Sequence, residues 1–95
     1  MKIQPVRGTH DLYNQNLIKY NQVLKIVNRL ARVYCFDEII TPIFETTELF
    51  RKPLGKYSDV VLKEMYTFED RNNSSLTLRP EYTTPMIRSA ISNNL

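Results

Sequence analysis

Near the end of the sequence, in the run "LRPEYTTP" from Leu78 to Pro85, Glu81 and Thr83 have the types and spacing to hold a small cation. An ionised carboxylate only accepts hydrogen bonds and a threonine hydroxyl can accept one more, so the pair suits a primary ammonium, a cation with three donors. The two converge if the backbone between them is extended, because residues two apart on a strand share a face and Tyr82 would then point away. A plainer role fits the same residues. Glu81 stands just before a helix start, where a carboxylate favours the positive end of the helix and Thr83 assists capping.

Few other side chains offer chemistry. His10 is the only histidine and sits in the loop "RGTHDL", where a lone imidazole reads as a surface residue rather than a catalyst. Cys35 is the only cysteine, so no intrachain disulfide can form, and no Cys/His set has zinc spacing. No residue is therefore assigned a catalytic or metal-binding role. A net charge of +3 permits contact with nucleic acid but lacks the dense Lys/Arg clusters of a dedicated binder. A length of 95 residues fits one domain with a modest core and excludes a large enzyme, while ten aromatics and only two glycines exclude a disordered tail. The N-terminus has no apolar signal-like stretch and no run approaches membrane-spanning length, so a cytoplasmic location and no membrane partner are expected.

The elements that must position Glu81 and Thr83 can be read outward from them. Leu76 and Leu78 alternate with Thr77 and Arg79, the period of a half-buried strand over Ser75 to Leu78, and Pro80 should end its ladder while keeping the chain stretched. Thr84 reads as a helix N-cap and Pro85 as the first helical residue, followed by an apolar face of Met86, Ile87, Ala90 and Ile91. "MYTF", residues 65 to 68, predicts the partner strand, and "DRNNSS" the turn of a hairpin. Upstream, "KIQPV" predicts a short edge strand, and Gly8, Thr9 and Asp11 a loop leading to the longest helix. From about Asn14 to Tyr34, apolar residues recur at three- and four-residue steps, with Lys19, Lys25, Arg29 and Arg32 on a face that reads as solvated or as able to meet RNA. Cys35 occupies the place where glycine commonly ends a helix, so a less relaxed turn is expected there. "FDEIITPIFE" predicts a strand broken or edged at Pro42, either internal or at a subunit contact. A helical turn before Pro53 and another around Asp59 to Leu62 complete the reading.

Taken in order, "RGTHDL", "YCFDEIITPIFETTELF" and "SDVVLKEMYTFEDRNNSSLTLRPEYTTPMIRS" resemble the N-terminal portion of histidyl-tRNA synthetase, a class II aminoacyl-tRNA synthetase. The resemblance covers nearly the whole chain. It implies an α+β fold, a fragment of the class II catalytic domain in which a long N-terminal helix packs with antiparallel strands and a C-terminal helix. Residues 1 to 95 would be one domain running from motif 1 through the start of motif 2. It also implies that Glu81 is the anionic partner of the histidine α-amino group and Thr83 a neighbouring hydrogen-bonding group. Ile39, Ile40 and Pro42 would lie in a homodimer interface, and Arg88 would serve structure.

The family reaction activates histidine with ATP and magnesium and transfers it to tRNA(His), using arginines and metal to stabilise the phosphorus centre. The segments carrying those groups would follow Leu95, so this chain is expected to be inactive by itself and to hold no ATP or Mg. Cys35 departs from the family's usual glycine, without touching the ammonium pair. Two rivals share the sequence features: the non-catalytic synthetase-like regulatory subunit of ATP phosphoribosyltransferase, and a small α+β module that binds protein or nucleic acid. Fold alone does not separate them.

Overall fold

The computed structural model describes residues 1–54 and 63–95. It divides into two compact units, Met1–Glu38 and Ile39–Leu95. The first holds a single helix, α1 (Asn14–Val33). The second runs β1 (Phe44–Thr46), α2 (Thr47–Leu54), β2 (Thr67–Glu69), β3 (Ser75–Leu78) and α3 (Thr83–Ser92). The expected α+β class is what the chain adopts.

The turn before α1 follows its sequence. Gly8 takes φ +86°, and Thr9 closes the turn by donating both its amide and its hydroxyl to the Val6 carbonyl. No strand forms over "KIQPV"; those residues have no ladder partner, and Pro5 has no amide to offer one. The helix begins at Asn14 as expected, and apart from half-buried Ala31 its residues are exposed, including Leu17, Val23, Val27 and Leu30.

Its end is a complete left-handed cap. Cys35 sits at φ +59°, its amide reaches the Arg32 carbonyl and the Phe36 amide reaches Ala31, satisfying carbonyls that the helix leaves unpaired. A cysteine at this φ carries a steric cost of about 1 kcal/mol that glycine would avoid. The same motif closes α3, where Asn94 takes φ +55° and the amides of Asn94 and Leu95 reach Ile91 and Ala90.

In the second unit β3 is the central strand, antiparallel to β1 and β2 on either side. Phe44 faces Leu78, Glu45 faces Thr77, and Thr77 in turn faces Thr67. Pairing continues one residue past β3, since the Arg79 amide donates to Ile43, and then stops at Pro80. The β2–β3 hairpin predicted from the sequence forms, although β2 starts at Thr67 rather than Met65. Asp70 builds its turn: the carboxylate accepts the Asn72 and Ser74 amides at 2.8 and 2.9 Å, and Asn73 takes φ +63°.

The strand expected over "FDEIITPIFE" shrinks to Phe44–Thr46. Pro42 cannot donate to a ladder, and helix α2 begins immediately after Thr46, so the strand is confined to the few residues between them. The helical turn before Pro53 is part of α2, whereas Asp59 to Leu62 lie outside the described residues.

Because α2 follows β1 without a loop, it folds onto the Glu45–Thr77–Thr67 face of the sheet. Thr47, its first residue, shares a buried hydrogen bond with Thr77 at 2.9 Å and another with Ser75 at 2.6 Å, and Thr67 joins Thr77 at 3.0 Å. One turn on, on the same side of α2, Phe50 is 1% exposed, the only large apolar side chain so enclosed among the described residues. Helix α3 reaches this face through Arg88, which grips Glu45 with Nε and Nη2 at 3.1 and 2.8 Å. Arg88 thus has the structural role expected of it.

Candidate functional site

Strand β3 and helix α3 are joined by Arg79, Pro80, Glu81 and Tyr82, and this short turn carries the polar groups singled out in the sequence. The helix starts two residues before the position predicted. Tyr82 is the N-cap residue, with φ −100° and ψ −23°, and its side chain makes no capping bond. Thr83 is the first helical residue and Pro85 the third, where a missing amide costs nothing because that donor has no partner inside a helix.

Glu81 does the capping. Its Oε2 accepts the Thr83 amide at 2.5 Å, and its two oxygens accept the Thr84 amide at 3.1 and 3.2 Å. With Pro85 next, and the Met86 amide already bonded to the Tyr82 carbonyl, every free donor of the first turn is accounted for. The expected extended bridge is therefore not what forms: Tyr82 is helical, and the carboxylate curls back over the amides ahead of it. The group of Thr83 that meets Glu81 is its backbone amide, at the helix start, and not a hydroxyl sharing a strand face. Of the two roles read from the sequence, the capping one is present in the structure.

Partial burial of the carboxylate pushes its pKa up. Hydrogen bonds from the hydroxyls and amides of Thr84 and Thr83 more than reverse this and hold Glu81 below its ordinary value. A carboxyl depressed in the folded chain stabilises it at neutral pH, and that contribution is lost as pH falls through the folded pKa. Glu81 is exposed, so its carboxylate stays open to solvent on the side away from these donors.

Sequence reasoning missed the residue that organises the turn. Arg79 donates through Nη1 to the Thr41 carbonyl at 2.7 Å, the Thr41 hydroxyl at 3.3 Å and the Pro42 carbonyl at 3.0 Å. Through Nη2 it reaches the Tyr82 hydroxyl at 2.5 Å, and its guanidinium lies 4.2 Å from the centre of the Tyr82 ring. The alternation that puts Arg79 on the side of Thr77 was the available signal, but backbone acceptors leave no mark in a sequence. An open cleft of about 600 Å³ lies beside this turn, lined by Ile43, Met65, Tyr66, Leu78, Arg79 and Pro80 among others; Glu81 is not part of its wall.

The remaining candidates are scattered. Ile39 and Ile40 are 37% and 83% exposed, and Pro42 is exposed with its carbonyl taken by Arg79. His10 and the free thiol of Cys35 are exposed. Among the described residues no group of three or more His, Cys, Asp or Glu could hold a metal ion, and no helix is long and apolar enough to cross a membrane.

Comparison with known proteins gives this geometry a context. No protein-family model matches the chain. Its fold matches the crystal structure of apo histidyl-tRNA synthetase from S. aureus with a TM-score of 0.80 and 36% identity, over 98% of this chain and 24% of that one. A second match, with a TM-score of 0.76, is titled an ATP phosphoribosyltransferase regulatory subunit/histidyl-tRNA synthetase from Bacillus halodurans; it covers 97% of this chain and 23% of that one. At 21% identity the second likeness speaks for the fold alone. The architecture is thus an α+β piece of the synthetase catalytic fold.

In sequence the chain is 52% identical over 93 residues to the histidine–tRNA ligase of Gluconacetobacter diazotrophicus, a match covering 98% of this chain. It is a homologue of the histidine–tRNA ligases, and it spans 22% of the length of that relative.

Proposed function

We propose that this chain is the amino-terminal part of the catalytic domain of a histidine–tRNA ligase, from motif 1 to the start of motif 2. The longer enzyme would activate histidine with ATP and Mg and transfer it to tRNA(His), as a cytoplasmic homodimer. The observation that carries the reading is the 52% identity to a ligase across nearly the whole chain, with the "RPEYT" turn intact. Within it, Glu81 and Thr83 receive the α-ammonium of histidine, and Ile39, Ile40 and Pro42 lie in the dimer interface.

The geometry supports a role for Glu81 in two ways. The amides of Thr83 and Thr84 keep the carboxylate ionised and fixed in direction, and its solvent side is open to a ligand. The same amides also draw charge from it, so affinity for an ammonium must come partly from groups elsewhere in the enzyme. Recognition of the imidazole ring and stabilisation of the phosphorus centre need further groups as well, so the 95-residue chain should bind histidine weakly or not at all and should not exchange pyrophosphate into ATP.

In the full-length ligase, Glu81→Gln should raise the KM for histidine at least tenfold, the scale of one lost charge-assisted bond, with little change in the KM for ATP. An unchanged histidine KM would remove Glu81 from the site. Sub-micromolar histidine binding by the 95-residue chain, abolished in Glu81→Ala, would overturn the expectation of weak binding.

The B. halodurans likeness keeps the regulatory reading as the second choice. Sequencing the gene beyond the codon for Leu95 separates the two: arginine-bearing motif 2 and motif 3 segments support a ligase, and their absence supports a regulator.

A further inference from the structure

Among the described residues, two arginines tie α3 and the turn before it to the rest of the second unit, and they do so differently. Arg88 pairs with a carboxylate, Glu45, and makes no hydrogen bond to the turn. Arg79 has no ion-pair partner among the described residues: its four hydrogen bonds there go to two carbonyls and two hydroxyls, and its guanidinium lies over the ring of Tyr82. The half-buried guanidinium is held by these contacts through its shape, because its planar fork reaches the 41–42 segment with one nitrogen and Tyr82 with the other.

We infer that Arg79 is a positioning residue for the Glu81 carboxylate. The chain of contact is continuous. Thr41 is buried and its carbonyl fixes the guanidinium; the guanidinium fixes the side chain of Tyr82; Tyr82 is the N-cap residue and so sets where the Thr83 and Thr84 amides stand; and those amides hold Glu81. Pro80 removes freedom on the other side of the turn by fixing its own φ. The inference builds on the reading of Glu81 as the ammonium acceptor and adds the group that aims it.

The test is an NMR titration of the Glu81 side-chain carboxyl carbon in the 95-residue chain, with the Thr83 and Thr84 amide shifts recorded alongside. Arg79→Met should move the Glu81 midpoint up towards the ordinary carboxyl value and shift both amides. Arg79→Lys keeps the charge but cannot bridge the same acceptors, so it should behave like Arg79→Met. Arg88→Met should leave all three signals near their wild-type values, despite losing an ion pair.

If Arg79→Lys restores the wild-type titration, the effect is charge alone and the inference fails. It also fails if Arg79→Met leaves the signals unmoved. Tyr82→Phe removes the 2.5 Å bond and keeps the stacked ring, and it should give a smaller shift in the same direction in a chain that folds normally; no shift there overturns the inference even if the Arg79 variants prove unfolded. Since none of these readouts uses histidine, they can succeed while Glu81→Gln leaves the ligase's histidine KM unchanged, which would sink the binding role and keep the positioning one. With both roles intact, Arg79→Met in the full-length ligase raises the histidine KM several-fold and leaves the ATP KM alone.

Discussion

Thr77 and Leu78 are neighbours in sequence and opposites in surroundings: Thr77 has no exposed surface, while Leu78 is 38% exposed. Their two faces of the sheet differ in the same way. On one side Glu45, Thr67, Thr77 and Ser75 meet Thr47 and Arg88, and every polar group that is enclosed there has a partner. On the other side Phe44, Phe68 and Leu78 stand open, with the two rings edge to face at 6.0 Å across β3. Alternation says which residues share a face; it does not say which face is covered. Here the deciding event is the loopless passage from β1 to α2, which lays a helix over the hydroxyls before any apolar rule can act.

The contrast can be broken by substitution, and unfolding in urea is the measurement that reads each case. Phe50→Ala should cost the most, about 3 kcal/mol, because it empties the position of the one large apolar side chain fully enclosed among the described residues. Arg88→Met should follow at about 2 kcal/mol: it leaves Glu45 unpaired with its side chain only 11% exposed. Thr77→Val keeps the shape and removes the central hydroxyl, so about 1 kcal/mol is expected, softened because Thr47 still has Ser75. Phe68→Ser on the open face should change stability by only about 0.5 kcal/mol, mostly the loss of the edge contact to Phe44. A Phe68→Ser cost equal to that of Phe50→Ala would show that the apolar face is covered in solution and would reverse the comparison.

Much of this architecture could be read beforehand. The helix from Asn14, the hairpin turn at Asp70, β3 itself and its stop at Pro80 all rest on local signals: periodicity, a side chain that mimics a turn, a missing amide. Around Glu81 the plainer capping role was the legible one: an extended bridge to Thr83 was expected, and a helix start with a carboxylate cap is found. The short β1 and the covered hydroxyl face were not legible, because both depend on where α2 lands. Arg79 was hidden for a related cause: two of its four acceptors are backbone carbonyls, at Thr41 and Pro42, that any residue type would have supplied.

The tight turn at Asp70 also makes the two strand pairings differ in how far they reach along the chain. Glu69 and Ser75 meet across residues 70–74 alone, a closure whose ends are pre-bent by one carboxylate, whereas Phe44 must find Leu78 across α2 and everything between. The hairpin can form within microseconds from its own residues. Strand β1 pairs at the longer range, and the bonds of Thr47 to Thr77 and Ser75, Arg88's grip on Glu45 and the Arg79 clamp all depend on that pairing.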